Sequence, residues 1–203
     1  MTFDLMWLDI PVIAILRAPS AKRFPEVAAV LHESGITAVE FTLNSPGALD
    51  ALRDCAGLAH PVGAGTVLTA EAAAQAVDAG AAYLITPAVI DEVIAEGRRL
   101  GVPVISGALT PTEIHRAWTL GSTMVKVFPA ATGGPDYLHA VSGPLTGIPL
   151  VPTGGIGIAD ARAYLDTGAT AVGMGSPLIG DACTDGSLDA LNDRTSLLRE
   201  LLL

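Results

Sequence analysis

The sequence predicts an α/β protein, a (β/α)8 or TIM barrel, and two observations support this. Short runs rich in valine and isoleucine recur eight times, and helical patterns lie between them. Near-continuous apolar runs are typical of parallel strands that are covered on both faces. The runs start 20 to 26 residues apart, at Pro11, Thr37, Pro61, Ala81, Pro103, Met124, Pro149 and Thr170.

The segments between the runs carry signals that begin and end helices. Thr110, Pro111 and Glu113 supply an N-cap, a proline at the first helical position and the acid of a capping box. Ser45 and Thr69 also predict helix starts. A glycine precedes the next run where a helix often ends in a left-handed residue, at Gly35, Gly80, Gly101, Gly121 and Gly168.

Strands that alternate with helices indicate βαβ units, and eight units in 203 residues favour a closed barrel. The alternative is an open doubly wound sheet. Such a sheet is expected to carry a glycine-rich turn after the first strand, where this chain reads ILRAPSAKR. No linker or low-complexity segment divides the chain, so residues 1–203 are predicted to form one domain that ends in a helix over 187–203.

Composition limits the classes of partner. The formal net charge is −10, which argues against nucleic acid and anionic membrane surfaces as partners. Cys55 and Cys183 form no CxxC pair and are expected to be reduced thiols. The first residues include Asp4 and Asp9 and no basic segment, so they do not resemble a signal peptide. No apolar run reaches the roughly 18 residues of a membrane span, and a cytoplasmic protein is expected.

The predicted strand ends combine three charged residues with small ones. In a barrel of this type the active site lies at the carboxyl ends of the strands. The charged residues there are Arg17, Glu40 and Lys126. The others are small, hydroxylic or apolar: Thr42, Thr66, Thr86, Pro87, Gly107, Phe128, Thr153, Gly154, Gly155, Gly175 and Ser176.

Lys126 interrupts the apolar run MVKVFPA, and lysine is rarely buried without a partner. It could point outward between helices or form a structural ion pair with Glu40. It could instead be a nucleophile, because an apolar site favours the neutral amine, which attacks carbonyl carbons to form Schiff bases. Glu40, inside VEFTL, is correspondingly an ion-pair partner or a general acid and base. The two interpretations of each residue are compatible.

Glycine-rich turns follow the seventh and eighth predicted strands, in PTGGIG and MGS. The loops at these two places form the usual phosphate site of a TIM barrel, although tight turns alone also explain the glycines. His32, His60, His115 and His139 lie away from the strand ends and match no metal motif. They are expected to be surface residues, and no metal site is predicted.

Eight segments of the chain resemble the 2-keto-3-deoxy-6-phosphogluconate (KDPG) and 2-keto-3-deoxy-6-phosphogalactonate (KDPGal) aldolases. The likeness extends from Pro11 to Ser176, and the order E-x-T-L, GAGTV, K-x-FPA and PTGG is specific to this family. The segments are VEFTLNSP, GAGTVL, ITPAV, TPTE, VKVFPA, GGPDYLHAVSGP, VPTGGI and AVGMGS.

The resemblance implies a class I aldolase that usually forms a trimer and needs no metal or organic cofactor. Lys126 would form the Schiff base with pyruvate, and Glu40 would shuttle protons. Arg17 and Thr66 would contact the keto acid or the sugar-acid chain. The remaining site residues would wall the pyruvate pocket or hold the terminal phosphate of the sugar acid: Pro87, Phe128, Thr153, Gly154, Gly155, Gly175 and Ser176.

One position differs from part of the family. Several gluconate-type members have an arginine where this chain has Asn44, and the LNSP pattern is closer to the galactonate type. Two other functions remain open. One is a phosphosugar isomerase or epimerase that uses Glu40 as a base without an imine, and the other is a non-catalytic phosphosugar-binding protein. Fold alone does not separate them.

Overall fold

A computed structural model describes residues 8–203. The stretch with Asp4, for which no signal peptide is expected, lies outside them. Within residues 8–203 the chain forms eight strands that alternate with helices. The strands are β1 (Val12–Leu16), β2 (Ala38–Thr42), β3 (Val62–Gly65), β4 (Leu84–Ile85), β5 (Val104–Ala108), β6 (Met124–Val127), β7 (Leu150–Pro152) and β8 (Val172–Met174).

All strand pairs are parallel, in the order β7-β6-β5-β4-β3-β2-β1-β8. A parallel bridge between Thr153 and Gly173 joins the two ends of this sheet, so that it forms a nearly closed barrel. The (β/α)8 barrel predicted from the recurring apolar runs is confirmed, and the open doubly wound sheet is excluded.

Helices cover the outside of the barrel, and none of them in the described part of the chain is long and apolar enough to cross a membrane. A short 3-10 helix follows β6 at Ala130–Thr132. The α-helices are α1 (Phe24–Glu33), α2 (Ala48–Asp54), α3 (Ala70–Asp78), α4 (Asp91–Leu100), α5 (Pro111–Leu120), α6 (Gly134–Ser142), α7 (Ala161–Leu165), α8 (Ser176–Ile179) and α9 (Leu188–Leu202).

Most helix boundaries follow the predicted cap chemistry. Thr110 and Glu113 form a capping box at the start of α5, and the side chain of Thr69 accepts a hydrogen bond from the backbone of Ala72. The prediction that α2 starts at Ser45 is wrong. The helix starts at Ala48 with Gly47 at its N-cap, and the Ser45 hydroxyl accepts a hydrogen bond from the backbone N–H of Ala18 instead.

Side chains alternate between the two faces of each strand, which produces two cores. One core lies between strands and helices and includes Val39, Phe41, Val125 and Val127. The other fills the barrel interior with Ile13, Ala38, Tyr83, Ile85, Ile105, Met124, Val151 and Ala171. Because Glu40 lies between Val39 and Phe41, and Lys126 between Val125 and Val127, both charged side chains point into the barrel.

Candidate active site

Lys126 and Glu40 face each other inside the barrel. β2 and β6 are four strands apart in the eight-stranded order, so they lie on opposite sides of the ring. Lys126 is 7% exposed and Glu40 is 1% exposed, and Lys126 Nζ lies 3.9 Å from Glu40 Oε2. Lys126 Nζ also lies 5.4 Å from the ring centroid of Phe128. The lysine is therefore not directed outward between helices, and the ion pair with Glu40 is formed.

Glu40 is held in an environment that favours proton exchange. Within residues 8–203 neither carboxylate oxygen of Glu40 has a hydrogen-bond partner. Burial raises the pKa of Glu40 above its ordinary value, and the positive charges of Lys126 and Arg17 partly oppose this. A buried carboxyl group with a raised pKa is more readily protonated, and such a group can donate a proton and take one back in one reaction cycle.

Gly65, at the end of β3, gives the Glu40 carboxylate its space. A Cβ atom placed on Gly65 would lie 1.6 Å from Glu40 Oε1 and 2.2 Å from its carboxyl carbon. The carboxylate therefore packs directly against the Gly65 backbone, which any larger residue would prevent. Composition alone does not reveal this contact, although GAGTV contains the glycine.

A cavity of about 270 Å³ opens at the carboxyl ends of the strands, and its lining includes Lys126 but not Glu40. A volume of this size suits a small metabolite. The lining of the cavity includes eight of the residues predicted for the site: Arg17, Lys126, Phe128, Thr153, Gly154, Gly155, Gly175 and Ser176. Ile15, Pro177, Ile179 and Gly180 complete its lining.

The loop after β7 has the sharp turn that its glycines predict. Gly154 and Gly155 have φ values of 93° and 77°, in the left-handed region that favours glycine. A Cβ atom on Gly154 would lie 2.9 Å from the Phe128 ring, so this glycine also allows the loop to approach Phe128 closely. On the other side of the same cavity, α8 begins at Ser176 directly after β8.

Pro87 and Phe128 share a second cavity, of about 250 Å³, beside the first. Gly107 allows the Pro87 backbone to pack closely against β5, because a Cβ atom on Gly107 would lie 2.2 Å from the carbonyl carbon of Pro87. The Thr86 hydroxyl donates to the Ala88 carbonyl oxygen at 2.7 Å and accepts from the Gly107 N–H at 3.1 Å. These bonds hold the turn that carries Pro87.

Thr66 follows β3 and is partly buried, but it is not part of the lining of either cavity. Its φ of 57° is uncommon for a residue with a branched side chain. Strained backbone of this kind is found preferentially at functional sites. The predicted contact between Thr66 and a substrate stays a prediction.

In the described part of the chain, no group of three or more His, Cys, Asp or Glu side chains is placed to hold a metal ion. The expectation that all four histidines are surface residues is wrong for His32. Its ring is half-buried, with its centroid 5.0 Å from that of His60. Burial, and then the charge of His60, lower the pKa of His32 to about 4.

Sequence reasoning placed the charged residues but missed those that support them. Gly65 was not recognised as the contact of Glu40. Tyr83 fills the space beside Gly63 beneath the site, and its hydroxyl donates to the Val39 carbonyl oxygen at 2.8 Å. Thr42 was placed at a strand end, but its hydrogen bonds to the Leu16 carbonyl oxygen and to Ser45 were not predicted.

The fold and the site together are those of a TIM barrel with a buried lysine amine beside a buried carboxyl group, next to a cavity at the carboxyl ends of the strands. The chain belongs to the KDPG and KHG aldolase family, whose sequence profile matches residues 6–192.

Curated relatives agree with this family. A 2-dehydro-3-deoxy-phosphogluconate aldolase of Treponema pallidum is 37% identical over 161 residues, which cover 77% of this chain and 74% of the relative. A 2-dehydro-3-deoxy-6-phosphogalactonate aldolase of Escherichia coli is 33% identical over 174 residues, covering 83% of this chain and 84% of the relative.

A solved structure shows the same fold. It is the KDPG aldolase of Legionella pneumophila, with pyruvate captured as a covalent carbinolamine intermediate. It is 28% identical to this chain, with a TM-score of 0.80, and the match covers 97% of this chain and 96% of the Legionella chain.

Proposed function

We propose that this protein is a class I aldolase that reversibly cleaves KDPG, or its galactonate epimer KDPGal, to pyruvate and glyceraldehyde 3-phosphate. The observation that carries this is the buried pair of Lys126 and Glu40, 3.9 Å apart, in which Lys126 also lines the cavity of about 270 Å³. Family membership and the carbinolamine of the Legionella relative support it.

Lys126 is the nucleophile of the proposed reaction. Lys126 passes a proton to Glu40, and the resulting neutral amine attacks the C2 carbonyl carbon of the substrate, with its own proton moving to the carbonyl oxygen to form a carbinolamine. Glu40 donates a proton to the C2 hydroxyl group, which leaves as water, and a protonated imine remains. The position of Lys126 supports this role, since the buried side chain lines the cavity, where a carbonyl carbon can approach the amine.

Glu40 then acts in the opposite direction. It takes the proton of the C4 hydroxyl group, directly or through a water, while the C3–C4 bond breaks. The bonding electrons move into the protonated imine, which becomes an enamine, and glyceraldehyde 3-phosphate leaves. Protonation of the enamine at C3 and hydrolysis of the imine release pyruvate. The raised pKa of Glu40 supports both directions of transfer.

The cavity lining supports the proposed contacts with the rest of the substrate. Arg17 carries a positive charge at the cavity, where it can attract an anionic group. We assign the phosphate to the loops with Thr153, Gly154 and Gly155 on one side and Gly175 and Ser176 on the other. Phe128 and Pro87 are assigned to the apolar wall around pyruvate, and Thr66 to a polar contact of the keto acid.

Borohydride reduction in the presence of pyruvate tests the proposal. The chain has two lysines, Lys22 and Lys126, so peptide mass mapping identifies the labelled amine. A reduced pyruvyl adduct is expected on Lys126 and only with pyruvate. Lys22→Arg should label like the wild type, whereas Lys126→Arg should not label. A folded wild-type protein without an adduct on Lys126 would refute the Schiff-base mechanism.

The isomerase alternative predicts a different result for the same variant. Lys126→Arg keeps a cation beside Glu40 but cannot form an imine. An isomerase or epimerase should therefore keep part of its activity, and an aldolase should lose nearly all of it. Assays with KDPG and KDPGal would establish which C4 configuration the enzyme prefers. The relevant position is the exposed Asn44, where several gluconate-type members of the family have an arginine.

We also propose that residues 1–203 act as one domain and assemble as a homotrimer in the cytoplasm. Support comes from the family resemblance. Sedimentation equilibrium at micromolar concentration tests the assembly. A mass of three times 20.6 kDa is expected, and a monomer mass would refute the trimer.

A further inference from the structure

A buried chain of hydrogen bonds joins the end of β2 to the turn that carries Arg17. The backbone N–H of Ala18 donates to Ser45 Oγ at 3.1 Å. Ser45 Oγ and Thr42 Oγ1 are 3.0 Å apart. Thr42 Oγ1 donates to the carbonyl oxygen of Leu16 at 3.0 Å.

The donors and acceptors determine the direction of this chain. A hydroxyl group has one proton, and that of Thr42 is used on the Leu16 carbonyl. The bond between the two hydroxyl groups must therefore be donated by Ser45. Each hydroxyl donates once and accepts once, from the Ala18 N–H through Ser45 and Thr42 to the Leu16 carbonyl.

Both hydroxyl groups are withdrawn from solvent, with Thr42 0% and Ser45 1% exposed. A buried hydroxyl without a partner is costly, so the removal of one member leaves the others unsatisfied. The sequence LNSP therefore does not use Ser45 to begin α2, which starts three residues later at Ala48.

The two backbone groups at the ends of the chain flank Arg17. The Leu16 carbonyl belongs to the peptide group before Arg17, and the Ala18 N–H to the peptide group after it. Holding both peptide groups sets the direction in which the Arg17 side chain leaves the backbone. That side chain lines the same cavity as Lys126, and its charge acts on Glu40.

We propose that Thr42 and Ser45 are positioning residues that act through Arg17, aiming its guanidinium at an anionic group of the substrate. The inference rests on the proposed aldolase function and deepens it. It explains how an arginine in the loop after β1 is directed at the cavity. Neither hydroxyl takes part in the chemistry.

A double-mutant cycle with Thr42→Val and Arg17→Met tests this. Thr42→Val keeps the shape of the side chain but lacks the hydroxyl. We expect it to lower kcat/KM about tenfold, mainly through KM, because the loss of aim weakens substrate binding. In the Arg17→Met background the same change should cost less than about twofold, since the group that it positions is absent.

Matched variants separate positioning from a general loss of stability. Thr42→Ser keeps the hydroxyl and should restore the wild-type KM. Thr195→Val removes another buried threonine hydroxyl, 1% exposed and bonded to the Asn192 carbonyl oxygen on α9. It should lower the melting temperature without changing KM. Ser45→Ala provides a second way to break the chain if Thr42→Val does not fold.

Three outcomes are distinguishable. Non-additive effects with rescue by Thr42→Ser support the inference. Additive effects in an active enzyme, or an unchanged KM in Thr42→Val and Ser45→Ala, refute the positioning role and leave the aldolase function intact. A wild-type protein that forms no borohydride-trapped pyruvyl adduct on Lys126 refutes the proposed function, and the inference that depends on it.

Discussion

Replacement of Gly65 by alanine is expected to slow turnover about a hundredfold while both catalytic groups stay in place. The new Cβ would lie 1.6 Å from Glu40 Oε1, whereas an ordinary van der Waals contact begins at 3.4 Å. The carboxylate must therefore retreat by roughly 2 Å, which changes its distance from Lys126. A misplacement of about 1 Å can cost about 10²-fold in rate.

The assay is steady-state kcat with KDPG and KDPGal, beside borohydride trapping on Lys126. Gly143→Ala is the matched control. Gly143 has helical φ and ψ angles of −55° and −56°, and the nearest atom to its new Cβ would be 3.9 Å away. That variant should keep wild-type kcat, and both variants need melting temperatures that show a folded protein.

The Glu40→Ala variant shows whether Gly65→Ala acts through Glu40. In Glu40→Ala the atoms that the new Cβ would meet are absent, so Gly65→Ala should cost almost nothing more there. If Gly65→Ala lowers kcat equally in the wild type and in the Glu40→Ala protein, then its effect does not pass through Glu40, which would contradict the prediction.

Three further results are expected. The pKa of His32 is lowered to about 4 in the folded protein, so its contribution to stability is complete above pH 6.5 and is lost as the pH falls toward 4. In urea titrations, His32→Gln should reduce the unfolding free energy that is lost at acid pH by about 1–2 kcal/mol, a figure lowered because the ring is half-exposed. The same substitution at the exposed His139 should not reduce this loss. Gly173→Ala would place a Cβ 2.3 Å from Thr153 Oγ1 at the closing bridge. It should cost about 1–3 kcal/mol of unfolding free energy, and an unchanged urea midpoint would contradict this. Burial raises the pKa of Cys183 to about 11, so iodoacetamide at pH 8 should label it in urea but not in the native protein, and rapid native labelling would show that the thiol is accessible.

Local patterns in the sequence were sufficient to predict the barrel. Strand runs, capping boxes and C-terminal glycines depend on neighbouring residues, so they can be recognised without knowing the tertiary structure. The capping box at Thr110 illustrates this, since all of its groups lie within four residues. Ser45 shows where the approach fails. Its hydroxyl had a local partner in the expected helix, but a partner 27 residues away, Ala18, took its place.

The sequence predicted which residues stand at the strand ends and offered an ion pair between Lys126 and Glu40, but it gave no distances between them. The sequence by itself determined that Arg17, Glu40 and Lys126 stand at strand ends, because one strand per βα unit places such residues at one end of a barrel. Only the tertiary structure decided that Lys126 and Glu40, far apart in the chain, lie 3.9 Å apart. That distance requires closure of the ring, which brings β2 and β6 to opposite sides of one interior. It also requires the absence of a side chain at Gly65, a contact between strands that no local pattern encodes.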